Sequence, residues 1–448
     1  MNVIHTAGCF LPDTYGGTEV YVAELAQHLD HQGISSIVAA PRPGEVEHFY
    51  HHGNIEVYRY PTPANPSTSE WREIVPHENF DRFATWLKHQ SAEVYHQHSY
   101  RFDCGFHHLQ LAKKLGMKTV VTVHIPEPVC LRQTMMYNGT EACNGKIDEA
   151  QCGVCLGMSD KVPVTIAQTL GKLPLSIGQA AKRRLHKASS PRIRQLGTTI
   201  ATPALVANQR RKIQQMAELA DRLIMVCEWM YEVFVRNGVP KEKLVLCKQA
   251  SPVPAQFHLK RPRPTNAPLR IGFLGRWHET KGIHILVEAI QRLPKDIPVT
   301  LIIHGSLHGK FHSGGEILAR VKTLAEQDPR IQIKDLLKRD EIADAIAQFD
   351  LLAVPSQWME TGPLVAKEAH AVKTPVLGSH LGGIPELVQH GVDGWLVPAR
   401  DVDAWRDAIA HLATHPEIVD RLQQNIRSIR TFAEVATEMK TVYEALLK

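Results

Sequence analysis

Two glutamates, Glu360 and Glu368, stand eight positions apart in the stretch PSQWMETGPLVAKEAHAVKTPVLG, with Gly362 and Pro363 between them. Proline suits the first position of a helix, and Thr361 or Gly362 suits its cap. The spacing therefore predicts a helix that starts at Pro363, runs on through Leu364 and offers its unpaired N–H groups to a ligand. Glu360 then lies just outside that end. Glu368 lies about five residues in, roughly 7–8 Å further along at the helical rise. That is about the span from a diphosphate to the ribose of its nucleotide, so one carboxylate can accept hydrogen bonds from sugar hydroxyls and the other from ribose hydroxyls. Two solvated helix-end glutamates would explain Glu360 tolerably, but not Glu368 on an otherwise apolar segment.

Cationic and glycine-rich turns accompany this pair. FLGRWHETKG places Arg276 and Lys281 at a strand-to-helix turn, and PDTYGGTE places Gly16 and Gly17 just before a helix. Such turns bind phosphate through free backbone N–H groups and cationic side chains. Neither is a dinucleotide fingerprint, because GFLGRW is not G-x-G-x-x-G and no acidic residue follows at the required distance. DVD at Asp401–Asp403 precedes a helical pattern and is expected to cap it rather than to bind metal.

Four of eight cysteines fall in CLRQTMMYNGTEACNGKIDEAQCGVC, at Cys130, Cys143, Cys152 and Cys155. The C-x2-C pair is expected on a short turn and the other two in a loop. Four thiolates so placed suit a structural tetrahedral zinc ion, and an iron–sulfur cluster is compatible with the same ligands. HFYHHG, from His48 to His52, reads as a loop, and His96 and His98 in HQH read as surface or core histidines at a strand end.

These residues need a frame. The chain has 448 residues, too many for one core, so two domains are expected. Short apolar runs alternate with helical patterns throughout, as in parallel βαβ units. Strands are expected at MNVIHTA, ISSIVAA, AEVYHQH and KTVVTVHI, then at LRIGFLG, VTLIIHG, IQIKDLL, DLLAVPS and TPVLGS; helices are expected from Thr18 to about Asp30 and after Lys281. The proline-rich ASPVPAQFHLKRPRPTNAPLR reads as a linker. The expected division is a Rossmann-like domain over 1–255, with a cysteine-containing insertion at about 126–160, and a second over 256–430. The final helix, about 431–448, is expected to pack back on the first. Ligands bind at the carboxyl ends of strands in open α/β sheets, so the expected site is the cleft across which the two domains face.

The net charge of +5, with histidine neutral, is too small to argue for nucleic acid. With no apolar run of transmembrane length and no signal-like start at Met1, a cytoplasmic protein is expected. The basic, partly apolar segment from about Val162 to Lys212 suits a solvated face or peripheral contact with an anionic inner-membrane surface.

GRWHETKG, ETGPLVAKE and GGIPELVQHGVDGWLVP together resemble the GT-B retaining glycosyltransferases of family 4, whose hallmark is E-x7-E. The resemblance spans nearly the whole chain and is densest from Leu269 to Pro398. It implies transfer of a sugar from a nucleotide-diphosphate sugar to an acceptor hydroxyl of a glycan, lipid-linked or small molecule. Retention of configuration, front-face attack and no catalytic metal are implied with it. By the same resemblance Arg276 and Lys281 hold the donor diphosphate. Glu360, Thr361, Gly362, Pro363 and Leu364 bind the transferred sugar, and Glu368 binds the ribose. Gly16 and Gly17 close over the phosphates, His124 contacts donor sugar or acceptor, and Glu386 supports the site. The catalytic set is then Glu360, His124, Arg276 and Lys281. The sequence departs from the family at Lys373, where glycine is usual. The competing readings are another GT-B enzyme, such as a nucleotide-sugar epimerase or phosphorylase, and a non-catalytic zinc-stabilised binding protein.

Overall fold

The computed structural model describes residues 1–13, 16–253, 267–306 and 314–448. The expected linker falls largely outside these residues, as does the expected boundary at 255/256. The chain divides into two compact units, one of Met1–Lys248 with Ala436–Lys448 and one of Gln249–Val435.

The first unit is built on β1 (Asn2–Thr6), β2 (Ser35–Pro43), β3 (His48–His52), β4 (Ile55–Thr62), β5 (Val94–Gln97) and β6 (Lys118–Val123). After the two-residue strands β7 (Met136–Tyr137) and β8 (Glu141–Ala142) come β9 (Arg222–Met225) and β10 (Leu244–Leu246). The main sheet has the order β10-β9-β6-β5-β1-β2-β4-β3. All its pairings are parallel except that between β3 and β4. HFYHH is thus an edge strand of a hairpin and not a loop: it pairs antiparallel with β4, and Phe49 stacks on Tyr58 of β4 at 4.9 Å. β1 and β5 are buried along almost their whole length, as expected of strands covered on both faces.

The second unit holds β11 (Leu269–Arg276), β12 (Val299–Ser306), β13 (Ile331–Lys334), β14 (Leu351–Val354), β15 (Val376–Ser379) and β16 (Gly394–Val397). Its sheet is wholly parallel in the order β13-β12-β11-β14-β15-β16. One apolar cluster joins Leu269, Ile271 and Phe273 to the helix Ile283–Arg292 and Trp405; another joins Leu352 and Val354 to Ala366 and Ala369 of the helix Leu364–Ala371. Asp401 caps the helix Val402–Thr414 by accepting from the Ala404 N–H at 2.9 Å.

From Ala436 onward the final helix, Phe432–Leu447, belongs to the first unit, where the Tyr443 hydroxyl lies 2.6 Å from His96 Nδ1 and Thr437 Oγ1 accepts from Gln32 at 3.0 Å. Among the described residues no helix is long and apolar enough to cross a membrane.

Candidate functional site

In the second sheet the chain runs outward from β11 to β12 and β13, then returns to lay β14 on the other side of β11. Such a reversal leaves a crevice at the carboxyl ends of the two strands. Arg276 is the last residue of β11, and Lys281 follows it in a single 3-10 turn, Glu279–Lys281. The expected helix begins only at Ile283, because Gly282 takes a left-handed φ of 71°. A side chain on Gly282 would meet the Pro355 carbonyl oxygen at 1.7 Å, so the turn after β11 presses on the turn after β14. The Gln357 N–H donates to the Thr280 carbonyl at 2.7 Å and fastens the two turns together.

Glu360 is buried at this junction. Its Oε1 accepts from Lys281 Nζ at 2.6 Å, Ser356 Oγ at 2.8 Å and Trp358 Nε1 at 2.8 Å. Burial alone would push the carboxyl up; the Lys281 ammonium and the three hydrogen bonds outweigh it and hold it below the usual range. Gly382 and Gly383 complete the surround. The Gly383 N–H donates to the Glu360 carbonyl at 2.6 Å, and a Cβ on Gly382 would sit 2.7 Å from the Glu360 nitrogen. Glu386 lies half-buried three residues on.

The helix expected at Pro363 starts at Leu364. Pro363, at ψ 126°, is the N-cap itself, so neither Thr361 nor Gly362 caps by a side chain. Gly362 has φ 123°, and its carbonyl accepts from the buried Lys367 Nζ at 3.0 Å. Glu368 is buried within the helix and paired with Arg339. Lys373 adopts φ 58°, the backbone of the glycine usual there, and its Nζ reaches the Ile426 carbonyl at 2.5 Å.

The first sheet reverses between β1 and β5. Gly16 is the N-cap of the helix Gly17–Asp30, in the connection from β1 to β2. His124 directly follows β6 and is buried, its Nε2 lying 3.1 Å from His98 Nδ1. His98 Nε2 lies 3.1 Å from His5 Nδ1, and His5 Nε2 lies 3.4 Å from Ser36 Oγ. Burial pushes His5 and His124 down to about 3 and His98 well below its ordinary value. The chain of imidazoles is therefore neutral. His5, His96 and His98 also place ligand atoms within 4.8 Å of one another, but both His96 nitrogens are engaged, by Tyr443 and by Thr122 Oγ1 at 2.7 Å. Three residues beyond His124, burial pushes the Glu127 carboxyl up to about 7, opposed by Arg101 and Lys212.

The four cysteines line one cavity of ≈ 40 Å³ in the same unit, and none of the eight forms a disulfide. Cys152 and Cys155 lie on the helix Glu149–Cys155, not on a turn.

The family model for a glycosyl transferase 4-like domain matches residues 16–247, and that for glycosyl transferases group 1 matches residues 268–415. The chain belongs to the glycosyl transferase 4-like family. Among its relatives is a D-inositol 3-phosphate glycosyltransferase of Xylanimonas cellulosilytica, 34% identical over 188 residues, which are 41% of this chain and 44% of that protein. The match thus spans under half of the relative's length. The fold is shared with sucrose-phosphate synthase from Thermosynechococcus elongatus, at TM-score 0.67 and 16% identity over 100% of this chain and 99% of that one. Anabaena HepE, solved with UDP and glucose, gives TM-score 0.62 at 13% identity over 99% of this chain and 100% of that one. The fold class is accordingly GT-B, with two Rossmann-like α/β domains.

The structure places Lys281, Ser356 and Trp358 on the buried Glu360 carboxylate, with Arg276 at the end of the adjoining strand; Thr361, Gly362 and Pro363 follow Glu360 directly in the chain, and Glu368 pairs with Arg339. Sequence reasoning missed Ser356 and Trp358, although both stand within four residues of Glu360. It also missed the packing of Gly382 and Gly383, inside a motif already singled out. Arg339 carried no local signal, being 29 positions from Glu368.

Proposed function

We propose that the protein is a retaining glycosyltransferase moving a sugar from a nucleotide-diphosphate sugar to an acceptor hydroxyl. The observation that carries this reading is the buried Glu360–Lys281 pair at the reversal of the second sheet, with Arg276 beside it. In this reading Lys281 and Arg276 take the charge that develops on the leaving diphosphate. The Gly362–Pro363 backbone, Thr361 and Leu364 orient the transferred sugar against Glu360, and Glu368 takes the ribose. The leaving phosphate accepts the proton of the attacking hydroxyl on the same face, with no catalytic metal assigned. By resemblance, Gly16 and Gly17 serve the phosphates and His124 the donor sugar or acceptor.

HepE was solved with UDP, which makes UDP-sugars the first donors to test beside GDP- and ADP-sugars. Thermal shift and slow hydrolysis should single out one nucleotide, and the anomeric proton of the product should show the donor's configuration. An inverted product, or no donor stabilising the protein, would overturn the reading.

A glycan or lipid-linked acceptor is part of the proposal. Val164, Ile166, Ile177 and Leu196 are exposed among Lys172, Lys182, Arg183, Arg184 and Arg194, which suits an anionic membrane surface. Co-sedimentation with vesicles containing phosphatidylglycerol, and none with neutral vesicles, would support that contact; equal failure with both would remove it.

A further inference from the structure

We propose that Cys130, Cys143, Cys152 and Cys155 bind one zinc ion that splints the segment between His124 and Cys155. This goes beyond the transfer reaction, whose donor residues all lie elsewhere.

The thiols arrive from three separate places. Cys130 closes a turn, its N–H donating to the Pro126 carbonyl at 2.9 Å. Cys143 directly follows β8. Cys152 and Cys155 stand three positions apart on one helix, which puts both sulfurs on one face. All four border the same ≈ 40 Å³ cavity, which has room for a bound ion. Four thiols around one space, none paired as a disulfide, are the donor set of a closed structural zinc site.

Backbone N–H groups already point at two of the sulfurs. Gly145 donates to Cys143 Sγ at 3.4 Å and Asn138 to Cys155 Sγ at 3.3 Å. Such donors stabilise thiolates and fix the ligand orientation. The other thiol contacts are weak: Cys152 Sγ lies 3.7 Å from the Lys146 carbonyl and Cys155 Sγ 3.9 Å from the Met136 carbonyl. Among the described residues no three of the sulfurs come within 4.8 Å of one another. Filling the site therefore requires rotamer changes that swing the sulfurs inward. On binding, four thiol protons leave to solvent and four S–Zn bonds form, leaving a charge of about −2 on the site. Arg132 and Lys146, both on the cavity wall, are placed to offset it.

The segment needs such a splint because it has little regular structure. Apart from the turns, it contains two strands of two residues and a helix of seven. It is tied to the helices Pro191–Leu219 and Glu228–Arg236 by polar contacts and by apolar packing, with Val129, Met135, Met136 and Ile147 buried and Gly145 pressed against Val233. Gln209 donates to the Glu127 and Pro128 carbonyls at 2.8 and 2.7 Å, and Asn237 bridges Ile147 and Gly145 at 2.9 and 2.8 Å. A metal adds ordering free energy to a segment with so little regular structure.

The test is elemental analysis of the full chain purified without a metal-affinity step. About one zinc per chain is expected. Chelation should expose four further thiols to a thiol reagent and raise amide exchange over 125–155 before the sheets respond. Cys152→Ser and Cys155→Ser should abolish the zinc, and Cys9→Ser should keep it. If the serine variants do not fold, cobalt titration of the chelated full chain decides: a tetrahedral thiolate spectrum saturating at one equivalent supports the site. No zinc with four thiols equally reactive before and after chelation would overturn the proposal. So would stoichiometric iron with acid-labile sulfide.

Discussion

The two sheets reverse direction in the same way and fill the resulting crevices with opposite chemistry. At the β11/β14 reversal a buried carboxylate is held ionised by an ammonium and two neutral donors. At the β1/β5 reversal the equivalent depth is occupied by histidines that burial keeps neutral. The difference follows from partners. A charge can stay in a low-dielectric site only when its counter-charge and hydrogen bonds are built in, as Lys281, Ser356 and Trp358 are. Imidazoles need none of this, since each neutral ring offers one donor and one acceptor to the next.

The sharpest way to break that comparison is to remove the charge. Glu360→Ala should lower kcat by ~10²–10³, the usual cost of deleting one preorganised group around a transition state. Near wild-type turnover would end the assignment. Lys281→Ala and Arg276→Ala should each weaken binding of the bare nucleoside diphosphate by roughly tenfold or more, since charge-assisted hydrogen bonds are worth about 1.5–3 kcal/mol. Calorimetry showing unchanged affinity in both would remove them from the phosphate site.

Acid should separate the two units. In the unfolded chain each histidine takes up a proton near 6.5, whereas His5 and His124 stay neutral in the folded chain to about 3. Unfolding binds protons between those values, so stability falls as pH drops through that window, by up to roughly 1.4 kcal/mol per pH unit for each such histidine. Among the described residues of the second unit the comparably buried case is His370, lowered to about 4. Glu360, whose pKa is depressed, loses its contribution only below the ordinary glutamate value of 4.5. Amide exchange at pH 5.5 against pH 7.5 should therefore show β1, β5 and β6 losing protection before β11 and β14; simultaneous loss would contradict the contrast.

The smallest effect is expected at Lys373→Gly. Relief of the left-handed backbone and loss of the contact to Ile426 oppose one another, so stability should change by less than about 1 kcal/mol and turnover not at all. A larger loss in thermal unfolding would show that the lysine contact outweighs the backbone.

The sequence by itself determined the alternation of strands and helices, because buried parallel strands must be continuous apolar runs and surface helices must repeat near 3.6 residues. It also marked Arg276, Lys281, Glu360 and the Gly362–Pro363 step, since they cluster within a few residues of strand ends. HFYHH escaped it because an edge hairpin of histidine and aromatic residues resembles a loop in composition. The partners of the key groups were decided only by tertiary structure. Arg339 reaches Glu368 from a turn 29 residues away, and Lys281 meets Glu360 across 79 positions, through the crossover that sets β14 beside β11. The neutrality of His5, His98 and His124 is likewise a property of burial, and burial depends on which strands lie side by side, which no local spacing in this chain records.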